Sequence, residues 1–204
     1  MKVGMILDAI YPSDARVTNE CEELIKNGHE IYLFCLSYQK NYIKSEIIND
    51  IKVRRYYCSS LIYKLSALAN DFPFYSISMK SKIKDFVLKN SIDKVHIHDI
   101  QIAKAAVAVC RKYNLKYVLD LHENRHEIMK SYKHVNSFFG KLLISFKRWK
   151  KAEEKYVSKA EKVIVVTNQA KKEITERCKI SNENVVVYPN TVKKSFYQNK
   201  DYDH

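Results

Sequence analysis

Val163-Ile164-Val165-Val166 is an unbroken run of aliphatic, β-branched residues, and it decides the fold. A strand with one wet face alternates apolar and polar positions. A run that is apolar at every position is covered on both faces. Such strands belong to parallel sheets with a helical layer on each side.

Working outward from this run, strand and helix patterns alternate along nearly the whole chain. Strands are predicted at residues 2–7, 31–36, 51–57, 94–98, 117–121, 163–167 and 185–188, the third following a polar, hairpin-like stretch. Helices are predicted at 17–27, 61–68, 77–89, 103–113, 138–159 and 169–177. Gly28 stands where the first helix must stop, at a position that favours positive φ. The expectation is one α/β domain over residues 1–190: a Rossmann-like, mainly parallel sheet with helices on both faces. Residues 191–204 are polar and aperiodic and read as a linker.

Composition removes several classes of function. The 204 residues hold only three glycines, Gly4, Gly28 and Gly140. A phosphate-cradling loop or a dinucleotide fingerprint needs two or three of them clustered, so neither exists here. The five cysteines (21, 35, 58, 110 and 178) are odd in number and form no C-x-x-C pair. That pattern fits free thiols in a reducing, cytoplasmic compartment, with Cys21, Cys35 and Cys110 buried. No apolar run approaches the ~18 residues of a membrane span. The net charge of +13 favours anionic partners: nucleic acid, anionic lipid or phosphorylated substrates.

In a parallel sheet, ligands bind beyond the carboxyl ends of the strands, near the point where strand order reverses. The residues there are Asp8 to Arg16, His98-Asp99, His122-Glu123, Thr167-Asn168 and Pro189-Asn190. Arg16 carries a planar fork suited to phosphate or carboxylate, and the plain alternative is a surface pair with Asp14. His96 is expected to pack inside.

His122-Glu123-Asn124-Arg125-His126 matches the H-E-x-x-H pattern of zinc peptidases. That chemistry needs both histidines one turn apart on a helix. Here His122 ends a predicted strand, and no third ligand follows at the usual spacing. Zinc peptidase remains one alternative reading, and no metal ligands are assigned. A basic nucleic-acid-binding module is another, although the lysines are scattered and no recognition signature is present.

Several stretches, taken in order, resemble the N-terminal half of a GT-B-fold glycosyltransferase of the retaining group 1 class, family 4. They are residues 12–17, the helix ending Asn27-Gly28-His29-Glu30, Lys94-Val95-His96-Ile97-His98-Asp99, Val118-Leu119-Asp120-Leu121-His122-Glu123, residues 160–167 and Val187-Tyr188-Pro189-Asn190. The resemblance implies a sugar-transfer site between two Rossmann-like domains, with this half receiving a sugar or lipid-linked acceptor. A C-terminal domain, absent from these residues, would hold the nucleotide-sugar donor. No cofactor is expected in this chain, and alone it is expected to be inactive.

The resemblance also implies roles. His122 faces the transferred sugar, where a neutral imidazole donates or accepts a hydrogen bond. Glu123 orients it or binds acceptor hydroxyls. Asp14, Arg16, His98, Asp99 and Asn190 line the acceptor or donor side. The basic, aromatic segment around Lys147, Arg148 and Trp149 suits an anionic membrane surface, where many relatives meet lipid-linked acceptors. An ordinary core helix is the alternative for that segment. On this reading nucleic acid is not a partner.

Overall fold

The computed structural model describes residues 1–122 and 145–190. Glu123, His126, the start of the helix predicted from residue 138, and the proposed linker lie outside the described residues.

Among the described residues eight strands form one sheet: β1 (Lys2–Ile6), β2 (Glu30–Ser37), β3 (Ser45–Ile48), β4 (Ile51–Tyr57), β5 (Lys94–His98), β6 (Lys116–Leu121), β7 (Lys162–Val165) and β8 (Val185–Val187). Their order is β3-β4-β2-β1-β5-β6-β7-β8. Every pairing is parallel except β3 with β4. The sequence pattern missed β3. Its residues alternate exposed and half-buried, so they carry no apolar run. β3 joins β4 through Asn49 and Asp50, at φ 48° and 64°. Two positive φ values in a two-residue hairpin turn suit the right-handed strand twist.

Helices cover both faces: α1 (Ala15–Lys26), α2 (Ser60–Lys64) leading into a 3-10 turn (Leu65–Leu68), α3 (Phe74–Asn90), α4 (Ile100–Lys112), α5 (Phe146–Val157) and α6 (Asn168–Cys178). Along β1 the period of two sends Val3, Met5 and Leu7 to the α1 face. Ile6 goes to the opposite face, among α3 and α4. Gly4 shares the Ile6 face because nothing larger fits: a Cβ there would lie 2.9 Å from Ile92 Cγ2 and 3.1 Å from Phe86 Cε1. α1 ends as predicted, with Gly28 at φ +78° and His29 N–H donating to the Leu24 carbonyl at 3.1 Å. Cys21, Cys35, Cys58 and Cys110 are buried free thiols. Among the described residues no helix is long and apolar enough to cross a membrane.

Two placements differ from the sequence expectations. α1 begins at Ala15 rather than Val17, because Asp14 caps it, accepting from the backbone N–H groups of Arg16 (3.0 Å) and Val17 (3.2 Å). Arg16 therefore stands in the first turn of a helix, not in a loop. α5 begins at Phe146, because Ser145 is extended and its hydroxyl caps Arg148 N–H. Trp149, expected to face a membrane, is 1% exposed and packs in the main core. Only Lys147 and Arg148 of that trio are on the surface. Arg148 reaches back to the Asp71 carboxylate at 3.3 Å. The apolar stripe of α5 is thus spent on the main core, beside α4 and α6.

Candidate functional site

β1 pairs with β2 on one side and β5 on the other, so the winding reverses at β1. Beyond the carboxyl ends of β1, β5 and β6, beside the N-terminus of α1, a cluster of titratable side chains collects. Arg16 and Glu20 come from α1, His96 and His98 from β5, Asp120 from β6, and His122 follows β6.

Asp120 is fully buried and is the hub. Arg16 donates from Nη2 to Oδ1 at 2.8 Å and from Nε to Oδ2 at 3.2 Å. His122 Nε2 lies 2.9 Å from Oδ2 and 3.1 Å from His98 Nδ1. Arg16 Nη1 donates to the Tyr188 carbonyl and to Asn190 Oδ1, the latter at 3.2 Å. Its guanidinium also sits 4.9 Å from the Tyr188 ring centroid. Arg16 thereby ties α1 to β6 and to the segment after β8. The anion-binding fork expected at Arg16 is occupied by the protein's own groups, and its carboxylate partner is Asp120 rather than Asp14.

His96 and His98 point to the same face, two residues apart, and their rings stack at 4.5 Å between centroids. Both are buried, so His98 reaches the cleft only through His122. Asp14 and His122 are adjacent, with Asp14 Oδ2 3.9 Å from His122 Nδ1. Asp99 has φ 71° and ψ 149°, a region that L side chains rarely adopt. Its N–H donates to the Asp120 carbonyl at 2.9 Å, which ties the strained turn to β6.

Charge follows from these contacts. Burial alone would raise Asp120, but the hydrogen bond with His122 and the nearby imidazoles of His96 and His98 hold it well below the usual carboxylate range. Burial, then the neighbouring Asp120 charge, pushes Glu20 up. Burial, then adjacent His96, presses His98 down to about 3. Burial works against a charged His122, yet the hydrogen bond and charge of Asp120 outweigh it, and His122 is raised. Asp120 thus favours the charged form of His122 more than water does for an ordinary imidazole. With Nε2–H held by Asp120, Nδ1–H is the donor left for the cleft.

Sequence reasoning did not single out Glu20, and it named Asp8 and Asp120 only within longer stretches, without a role. Asp8, after β1, accepts from Tyr75 Oη at 3.0 Å and Gln101 Nε2 at 2.9 Å. Asp120 did leave a signal: a carboxylate inside an otherwise apolar strand requires a buried cation.

The profile of Glycosyltransferase Family 4 matches residues 15–196. The chain belongs to glycosyltransferase family 4. Solved structures agree on the fold. Sucrose-phosphate synthase from Thermosynechococcus elongatus superposes with a TM-score of 0.63 at 14% identity, over 93% of this chain and 48% of that one. A UDP-glucosyltransferase from Polygonum tinctorium gives 0.61 at 11% identity, over 100% and 54%. A trehalose-6-phosphate synthase studied for glycosyl transfer with retention gives 0.59 at 11% identity, over 96% and 50%. This family-4 chain thus spans about half the length of these structures. A search of curated proteins finds no match for the sequence.

Proposed function

We propose that this family-4 chain is the acceptor-binding half of a glycosyltransferase that moves a sugar from a nucleotide-sugar donor to a polysaccharide or lipid-linked acceptor, with retention of configuration. The observation that carries the reading is His122. It is the titratable group that family resemblance assigns to the transferred sugar, and it stands at the carboxyl end of β6 with Nε2 anchored on buried Asp120. An anchored imidazole loses little freedom when it engages substrate, which is what makes fixed donors effective at developing charge.

On this reading the acceptor hydroxyl attacks the anomeric carbon while the bond to the nucleoside diphosphate breaks, and the hydroxyl proton passes to the departing diphosphate. His122 Nδ1–H donates to an oxygen of the sugar or of the departing diphosphate. Asp14, 3.9 Å from the same ring atom, keeps one carboxylate oxygen on the helix cap and turns the other toward the acceptor hydroxyls. The donor nucleotide is held by a second domain. Three lines support this: membership of family 4, the sucrose-phosphate synthase and UDP-glucosyltransferase folds among its neighbours, and a trehalose-6-phosphate synthase associated with retention. Lys147, Arg148, Lys150 and Lys151, exposed on α5, are available for contact with an anionic membrane surface.

The test is a nucleotide-sugar panel with the full-length gene product and lipid-extract acceptors. The expected result is release of nucleoside diphosphate coupled to labelled product with the donor's anomeric configuration. Inverted product refutes retention, and no turnover with any donor refutes the assignment.

A further inference from the structure

Glu20, His96, His98 and Asp120 form a buried set of two carboxylates and two imidazoles. One ligand atom from each lies within 4.8 Å of the others. The converging atoms are Glu20 Oε2, His96 Nε2, His98 Nδ1 and Asp120 Oδ2. His96 Nε2 is 3.6 Å from Glu20 Oε2 and 3.8 Å from Asp120 Oδ2. His98 Nδ1 is 3.9 Å and 3.5 Å from the same two oxygens.

Those separations have a scale to be judged against. Zinc bonds nitrogen and oxygen at about 2.0–2.1 Å, so the edges of an ideal tetrahedron around it are about 3.3–3.4 Å. The four histidine–carboxylate edges exceed this by about 0.1–0.6 Å, and all four donors lie within 4.8 Å of one another. Two imidazoles with two carboxylates is a mixed nitrogen and oxygen set, suited to zinc and its first-row neighbours.

A second observation points to a ligand. Glu20 Oε2 and His96 Nε2 are buried without a hydrogen-bond partner among the described residues, and both aim into the cluster. Leaving such atoms unpaired in a dry interior is costly. Arg16 meets Glu20 Oε1 at 3.2 Å and Asp120 Oδ1 at 2.8 Å, and its Nε also donates to Asp120 Oδ2 at 3.2 Å. It leaves Oε2 of Glu20 turned toward the histidines. That arrangement resembles the outer partners that orient metal-bound carboxylates.

We propose that Glu20, His96, His98 and Asp120 bind one divalent first-row metal ion, zinc by the geometry, inside the domain behind His122. The ion bonds Glu20 Oε2, His96 Nε2, His98 Nδ1 and Asp120 Oδ2. It does not use the H-E-x-x-H pattern, whose Glu123 and His126 lie outside the described residues. The inference does not depend on the sugar-transfer reading, because it concerns what holds β5, β6 and α1 together.

The experiment uses purified, untagged protein. Metal analysis after zinc exposure and desalting is expected to find about one zinc per chain, removable by a chelator with a fall in Tm. Cobalt added to the stripped protein is expected to give the intense visible absorption of a tetrahedral site. His96→Gln with His98→Gln loses both signals, whereas His29→Gln, outside the cluster, keeps them. Glu20→Gln, which preserves side-chain shape, weakens zinc binding by about tenfold or more. The proposal is overturned if stripped wild-type protein takes up neither ion. Zinc retained undiminished by the double variant and by Glu20→Gln also overturns it.

Discussion

Arg16 and Asp120, 104 residues apart in sequence, share a two-pronged buried ion pair, with Nη2 2.8 Å from Oδ1 and Nε 3.2 Å from Oδ2. Neither charge is exposed by more than 6%. Removing one partner of such a pair strands the other charge in the interior, which costs about 3–5 kcal/mol. Arg16→Met is therefore expected to lower unfolding stability by that amount in urea titration. Arg16→Lys is expected to recover only part of it, because an ammonium cannot reproduce the fork. A loss under about 1 kcal/mol for Arg16→Met contradicts the pairing.

Trp149 gives a choice between core and membrane. A buried Trp truncated to Ala costs about 3–5 kcal/mol. Trp149→Ala is expected to lose stability of that size in a denaturant titration. Lys147→Ala is expected to leave stability within about 0.5 kcal/mol. Unchanged stability in Trp149→Ala, with lost vesicle binding, would restore the surface reading.

Asp99 holds φ 71° and ψ 149°, at a cost of about 1–3 kcal/mol for a residue with a Cβ. Glycine relieves it, less the extra freedom glycine has when unfolded. Asp99→Gly is expected to raise Tm by about 2–4 °C while lowering transfer activity, because the carboxylate lies in the field of His122. A Tm that falls refutes the strain.

Asp71 supplies a pH dependence away from the site. Its side chain is buried against α5, and burial raises it despite Ser145 N–H and Arg148. The folded state thus keeps a proton that the unfolded state gives up near its ordinary value of about 3.9. Folded protein binds more protons over that interval, so this contribution to stability falls as pH rises from about 4 through the raised folded value. Asp71→Asn is expected to flatten that slope in denaturant titrations at stepped pH. An unaltered slope shows that Asp71 titrates normally.

Much of this fold is legible in the sequence. β5 was expected at 94–98 and lies at Lys94–His98, because the residues around it are apolar and the turns polar. Gly28 and the strand-end position of His122 were equally readable. The α1 start, β3 and the burial of Trp149 were not. Asp14 capping depends on a three-residue geometry, β3 on pairing with β4, and an amphipathic helix reads alike against lipid or against a sheet. Glu20 was invisible for another reason. It sits among Glu22 and Glu23 in α1 and differs from them only in facing Arg16 and His96.

The account stands or falls on His122. Steady-state transfer by the full-length gene product and its His122→Ala variant, on whichever nucleotide sugar is turned over, is the direct measurement. The account predicts a fall in kcat of about 10²–10³, little change in donor KM, and an unaltered circular dichroism spectrum. A variant that turns over at the wild-type rate would contradict it.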